Sequence, residues 1–361
     1  MGLSKELTDY FVVSQMLTGS RRKGLARIAE LETDEARYVE ALSVLTFGAC
    51  AGMSTVAEVV ASSAAMESIG KSGTAVRLAS LSPTLVVPLF DAVSSDATAF
   101  AAAVGSAGSA SAIAASASCM SRISESEDLT LAALSSDAAV AAFKGSAAFA
   151  SAAAAAFEAS FSSASWKDID RVATLARENA SAFSGYVGKT KSVAISGYNS
   201  HTFSVVGVAA DSGSGFTFCC DDILEKRAMN SSSTTSGGWE SSAMRSWLSG
   251  TLLKALPSDL QGAIKAVSKK NTASYGAATT SDKLWLLSAT EVGLVSGAAE
   301  GSKYPAFADN AARVRKFDGA ASSWWLRSVY SSSHFRYVSS DGSLGYGSAS
   351  RDDGVVPCFS I

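Results

Sequence analysis

Positions 7, 10, 11, 14 and 17 (Leu7, Tyr10, Phe11, Ser14, Leu17) recur at helical spacing. Ile28, Leu31, Ala36, Val39 and Leu42 continue the spacing after a Gly-Ser-Arg-Arg-Lys-Gly break at 19–24. Residues 1–60 are therefore predicted to be helical. From 61 to 165 the pattern becomes a cadence. Ser-Ala-Ala-Met (63–66) precedes Ile69, Gly-Thr-Ala-Val (73–76) precedes Leu78, and Asp-Ala-Thr-Ala-Phe (96–100) precedes Val104. Ser-Ala-Ile (111–113), Ala-Ser-Cys-Met (117–120) with Ile123, and Asp-Ala-Ala-Val (137–140) with Phe143 repeat the motif. A Ser or Asp before a short apolar run is an N-cap signature, so each unit predicts about two turns of helix. Two turns bury too little to stand alone, so such units must stack on one another or on copies from other chains. The competing reading is a flexible Ala/Ser linker, which leaves the regular Met, Ile, Val and Phe unexplained.

The pattern changes again at Trp166. Ile169, Val172, Leu175 and Ala176 form a helical stripe. Residues 191–208 then read as two strands around a turn at Gly197–Ser200, and Phe216–Cys220 predicts another strand. Helices are predicted over Trp239–Leu253 and Pro257–Val267, and a buried strand over Lys283–Ser288. The last 38 residues open on Trp324-Trp325-Leu326-Arg327 and close on the apolar run Val355–Ile361, interrupted by Pro357. The 26 residues between, Ser328 to Asp353, are dominated by Ser, Gly, Tyr, Asp and Arg. Antibody paratopes have this composition. Tyr and Arg give large contact area at low entropy cost, and Ser and Gly give adaptable hydrogen bonds. Lys, Glu, Gln, Met and Trp supply 45 of the 361 residues but none of these 26. Those five are the types unreachable when the first two bases of an Asn codon ending in a pyrimidine are randomised, the footprint of targeted adenine mutagenesis. A Ser/Gly-rich surface loop that lacks them by chance is the plainer reading.

Composition narrows the chemistry. From 101 to 160, Ala and Ser make up 37 of 60 residues, with Arg122 and Lys144 the only basic side chains. The net charge of −3 argues against a general nucleic-acid binder. No secretory signal is read at the N-terminus. The longest apolar stretch, Ala41–Ala57, is too short to span a bilayer, and MGLSKE lacks the Ser/Thr of a myristoylation signal. Cys50, Cys119, Cys219, Cys220 and Cys358 lack metal spacing and read as small buried residues. Gly185-Tyr-Val-Gly-Lys-Thr fails as a phosphate loop, because Phe183 stands where the pattern needs Gly. His201 and His334 are the only histidines, which leaves little for a zinc site or a Ser-His-Asp triad. Asp221-Asp222 reads as a strand end or cap, and Asp352-Asp353 lacks the oxygens a calcium ion needs. The expectation is no enzyme, no cofactor and no metal.

The strings "GKTKSVAISGYNSHTFSVVGV", "AMNSSSTTSGGWESSAMRSWL", "LPSDLQGAIKAVSKK", "DKLWLLSATEVG" and "WWLRS…GV.P.F.I" stand in one order over residues 185–361. They resemble the C-type-lectin-like, formylglycine-enzyme-like domains of gut bacteria and their phages, some of them variable proteins of diversity-generating retroelements. The Ala/Ser tract, best seen in "SSAAMESI", resembles the degenerate repeats of phage tail and fibre proteins. The first resemblance implies an α+β fold whose last strand returns beside its first. It also implies a frame of residues 324–328 and 354–359 around a ligand-contacting segment. Carried onto this chain, the contacts are Tyr330, Ser332, Ser333, His334, Arg336, Tyr337, Leu344, Tyr346, Ser348, Ser350, Arg351 and Asp352. Val329 stands where the family usually has Pro, and Val356 where Arg is frequent. The calcium-ligating tripeptides of animal C-type lectins are absent, as is the Cys and acid set of the formylglycine enzyme.

Three domains are expected: a helical anchor over 1–60, a repeat stalk over 61–165 and a lectin-like ligand-binding domain over 166–361. The resemblance implies a phage virion protein made in the host cytoplasm, a tail or head fibre or receptor-binding protein. Its partners would be a host cell-surface receptor, protein or glycan, and other virion proteins through the N-terminal region. A homo-oligomer, with a trimer favoured, is implied, and neither nucleic acid nor membrane insertion. The alternative is a bacterial or prophage-encoded interaction protein with a fixed lectin-like module.

Overall fold

The computed structural model describes residues 35–72 and 107–361 except Ala298, with scattered positions between 75 and 105. The helical stripe from Leu7 to Leu31 and the basic run Arg21–Lys23 lie outside the described residues, as does most of the repeats at 73–76 and 96–100. The fold mixes helices and strands. The chain forms two compact units, one ending at Ala156 and one running from Phe157 to Ile361.

The first unit is helical where it is described. Its helices are α1 (Glu35–Leu45), α2 (Val56–Ala61), α3 (Ser63–Gly70), α4 (Ala107–Ala115), α5 (Ala117–Glu125), α6 (Glu127–Leu134), α7 (Asp137–Phe143) and α8 (Ala147–Phe157). The cadence expected from the sequence sharpens to ten residues. The Oγ atoms of Ser116, Ser126, Ser136 and Ser146 accept from the backbone N–H of Cys119, Leu129, Ala139 and Phe149. Each cap contributes about 1 kcal/mol. Ser126 ends α5 and caps α6, so one residue in extended conformation makes the corner. Buried side chains keep the same period: Cys119, Leu129, Ala139 and Phe149 form one row, and Ile123, Ala133, Phe143 and Ala153 another. Phe143 and Phe149 meet edge to face, 5.2 Å between centroids. Contacts return after about three helices. Ser136 Oγ donates to the Val104 carbonyl at 2.8 Å, and Arg122 Nη2 reaches Ser94 Oγ at 2.9 Å. The repeats thus stack within the chain as a coil of short helices, because each buries only one narrow apolar stripe.

The second unit contains two main sheets. Its elements are α9 (Trp166–Glu178), β1 (Thr190–Val193), β2 (His201–Val208), β3 (Phe216–Cys220), β4 (Lys226–Ala228), α10 (Ala243–Trp247), α11 (Leu253–Ala255), α12 (Ser258–Ala263), β5 (Val267–Lys270), β6 (Thr279–Asp282), β7 (Arg315–Phe317), β8 (Ala320–Ser322), β9 (Trp324–Ser331), β10 (His334–Val338), β11 (Leu344–Ser348), β12 (Asp352–Gly354) and β13 (Cys358–Ser360). One sheet has the order β1-β2-β3-β13 and the other β11-β10-β9-β12-β4. β5–β6 and β7–β8 form two-stranded ribbons. Helix α9 is capped by Ser165 and buries Trp166, Ile169, Val172 and Leu175. Trp166 meets Phe218 and Phe359 at 5.5 and 5.8 Å. The approach of α9 needs Gly215, where a Cβ would lie 2.0 Å from the Ala173 carbonyl oxygen. Phe161 packs against Phe216, Phe218 and Tyr186, so the unit begins before Trp166. All five cysteines are buried and unpaired.

Several elements differ from the sequence expectation. The last strand, β13, lies on β3, and β1 holds the opposite edge. The helix expected from Trp239 starts at Ala243, capped by Ser242. Trp239 sits in the preceding turn, its indole N–H bonded to Asp282 Oδ2 at 3.0 Å. That helix widens to five-residue bonding over Leu248–Leu252. Val267, expected to end a helix, begins β5 instead. Lys283–Ser288 is buried from Leu284 onward but makes a single bridge, Trp285 to Cys358. Within Val355–Ile361 only Cys358–Ser360 is strand, since Pro357 has no N–H to donate.

Candidate ligand-binding face

The segment between the tryptophan frame and the last strand is not a loop. It is a meander: β9 runs to Ser331, turns into β10, and β10 pairs with β11 in the register His334–Ser348, Arg336–Tyr346, Val338–Leu344. Alternation therefore assigns its side chains to two faces. His334 and Arg336, with their cross-strand partners Ser348 and Tyr346, share one. Phe335 and Tyr337, opposite Gly347 and Gly345, share the other.

None of the twelve expected contact residues is buried. Tyr330, Ser332, Tyr346, Ser350, Arg351 and Asp352 are exposed, and Ser333, His334, Arg336, Tyr337, Leu344 and Ser348 are partly so. The structure divides them, however. On the first face Tyr330 and Tyr346 stack at 4.0 Å between centroids and 17°. The Arg336 guanidinium lies 5.2 Å from the Tyr330 centroid, and His334 meets Tyr346 edge-on at 5.7 Å. Nδ1 of His334 is within 2.8 Å of Ser333 Oγ and 3.1 Å of Ser331 Oγ. Tyr330 is 44% exposed and Tyr346 53%, and they are the only large apolar side chains exposed among the described residues of this unit.

On the second face Tyr337 lies across Gly345 and against Trp325, with a ring separation of 6.2 Å. A Cβ on Gly345 would come within 2.3 Å of the Tyr337 ring. Arg351 covers Tyr337 at 4.6 Å and ion-pairs with the buried Asp353, Nη2 to Oδ2 2.5 Å. Tyr337 and Arg351 therefore complete the frame more than they offer themselves to a ligand. Ser348 and Ser350 hydrogen-bond each other, and Ser348 also reaches Ser233. Thr235 ties down the β9–β10 turn: its N–H donates to the Ser332 carbonyl and its hydroxyl to that of Ser331. Ser233 and Thr235 belong to this rim and carry no signal in the sequence beyond a Ser/Thr-rich stretch.

Beneath the meander is a buried ionic network that the sequence did not reveal. Arg327 is fully buried and forks onto Glu291, Nη1 to Oε2 2.5 Å and Nη2 to Oε1 2.9 Å. It also donates to the carbonyls of Leu286, Lys270 and Glu300. Glu291 Oε1 is 2.7 Å from Lys269 Nζ, which lies 2.6 Å from Asp211 Oδ1 and 2.9 Å from Tyr304 Oη. Burial alone pushes the Glu291 carboxyl up, but Arg327 and Lys269 outweigh it and hold its pKa below the usual value. Asp211 follows the same logic, with Lys269, Thr217 and Tyr304 opposing burial. A charged residue inside an otherwise buried strand is the one signal that could have announced the network, since it demands a counter-ion. Trp324 and Trp325 finish the frame, their indole N–H groups donating to the Arg313 and Arg227 carbonyls at 2.9 Å each.

A separate cavity lies away from this face. A groove of about 700 Å³ is lined by residues 197–202, 221–224 and 316–319. Burial pulls the His201 pKa down and pushes that of Asp221 up. Asp221 accepts from Ser204 and Asp222 from the Lys316 N–H, just past the end of β3. Among the described residues no group of His, Cys, Asp and Glu is placed to hold a metal.

Residues 214–361 match the family model of a domain of unknown function, DUF6273. The match begins just before β3 and runs through Lys269, Glu291, Arg327 and the meander to the last strand, leaving Asp211 outside it. No curated protein and no solved structure matches the chain.

Proposed function

We propose that this chain is a phage virion protein, a tail or head fibre or receptor-binding protein, whose C-terminal lectin-like domain displays a variable face to a host-surface ligand. The N-terminal region joins the particle, the Ala/Ser coil is the stalk, and several copies assemble. Binding then rests on Tyr330 and Tyr346 as anchors, with serine hydroxyls supplying adaptable hydrogen bonds. Many copies raise a modest single-site affinity by avidity. The observation that carries this reading is the stacked pair itself. Among the described large apolar side chains of the β-rich unit these two alone are exposed, and they stack on each other within the paratope-like segment.

The test is binding of the purified full chain to host cells. Replacing both tyrosines by alanine should weaken it by about thirtyfold or more, the loss of a central aromatic anchor, with an unchanged thermal melt. Unaltered binding would sink the proposal. Sequencing the gene across a phage population should place substitutions within 329–353. Changes spread evenly over the chain would remove the diversification.

A further inference from the structure

The β-rich unit contains nine arginines, and eight of them make hydrogen bonds or ion pairs with the protein. Arg171 holds Asp168, Arg227 holds Glu225, Arg245 holds Asp282, Arg327 holds Glu291 and Arg351 holds Asp353. Arg177, Arg313 and Arg315 donate to backbone carbonyls. The Arg336 side chain alone shows no hydrogen bond or ion pair among the described residues, and its guanidinium lies 5.2 Å from the Tyr330 centroid. Its guanidinium is thus beside an aromatic ring with its N–H donors unclaimed by the protein. A guanidinium is a planar fork suited to two parallel bonds to an oxyanion. The cross-strand partner of Arg336 is Tyr346, and the next partners on the same face are His334 and Ser348. No carboxylate stands among them.

Resting on the reading above, we propose that the ligand is an acidic saccharide whose carboxylate docks on Arg336 while its ring lies against Tyr330 and Tyr346. Size favours a saccharide over a folded protein. The meander's exposed or half-exposed side chains on this side are few: Tyr330, Ser331, His334, Arg336, Leu344, Tyr346 and Ser348. A standard protein interface takes about 20–30 residues a side. The adjoining hydroxyls of Ser331, Ser333 and Ser348 suit the hydroxyls of a sugar. Calcium is not required, because the charge is met by the arginine.

The experiment measures binding of the full chain to a panel of sialyl, glucuronyl and galacturonyl oligosaccharides, each paired with its neutral methyl ester, with poly-glutamate as the non-saccharide anion. At least one acid should bind about tenfold or more tightly than its own ester, the contribution of a charge-assisted fork. Arg336→Gln should abolish that difference, and removal of an exposed lysine on α11, Lys254→Gln, should leave it intact. No preference for any acid over its ester overturns the proposal, as does a preference that survives Arg336→Gln. Poly-glutamate binding as tightly as the best saccharide overturns it in favour of an acidic protein partner. Host-cell binding separates the two levels. If the double tyrosine variant loses it and Arg336→Gln does not, the charge assignment falls and the display face stands. If neither loses it, both fall.

Discussion

Removing Arg327 tests the physics of the frame. In Arg327→Met, Glu291 stays buried but retains Lys269 Nζ at 2.7 Å and the Ser288 N–H at 2.9 Å. The carbonyls of Leu286, Lys270 and Glu300 each lose a donor. Breaking a buried pair costs about 3–5 kcal/mol, and the surviving lysine places this case near the lower end, about 3–4 kcal/mol. For a unit of this size that is a fall of about 6–16 °C in melting temperature. All six tryptophans lie between Trp166 and Trp325. Tryptophan fluorescence during heating or urea titration therefore reports this unit alone. The double variant Arg327→Met/Glu291→Leu should recover part of the loss, because Lys269 still has Asp211 and no carboxylate is left short of a partner. A single variant within 1 kcal/mol of the parent, or a double variant no more stable than the single, would refute the reasoning.

Acid should weaken the same unit. Asp211 and Glu291 have lowered pKa values, so the stability they contribute is present above the ordinary carboxylate range. It is lost as pH falls below about 4, through their folded values, and melts from pH 7 to pH 3 will show it. Asp221 runs the other way. Burial raises its pKa, so its charge is a burden above the folded value that disappears on protonation. Asp221→Asn should raise the melting temperature at pH 7 and leave it unchanged at pH 3. Gly215→Ala drives a methyl into the α9 backbone and should cost about 3 kcal/mol or prevent folding, read by fluorescence melts and soluble yield. Ser136→Ala loses both the cap on α7 and the bond to the Val104 carbonyl, about 1–2 kcal/mol, measured by far-UV circular dichroism.

The parts of the fold that local chemistry dictates could be read directly. Serine caps ahead of apolar pairs marked the short helices, and apolar β-branched runs on either side of a Gly-containing turn marked β1 and β2. The twelve residues that the family resemblance singled out within Ser328–Asp353 are all exposed or half-exposed. What sequence could not supply was pairing across distance. Arg327 meets a lysine at 269 and a glutamate at 291 only after the chain has folded. The same holds for the division of the twelve residues between two faces, which depends on the register of β10 against β11. Trp239 looked like part of a helical stripe because its spacing to Trp247 fits, yet its indole is claimed by Asp282 on another element.

The two glycines beneath Tyr337 carry a consequence for how this surface can change over generations. At 345 a methyl group would lie 2.3 Å from the Tyr337 ring, and at 347 it would crowd Trp325, Arg351 and Tyr337 at 3.2–3.4 Å. At 344, 346 and 348 the upper side is open or only half covered. Codons along β11 therefore alternate between locked and free. A lineage seeking a new ligand can rewrite every second letter of this strand while the sheet that carries the message keeps its shape.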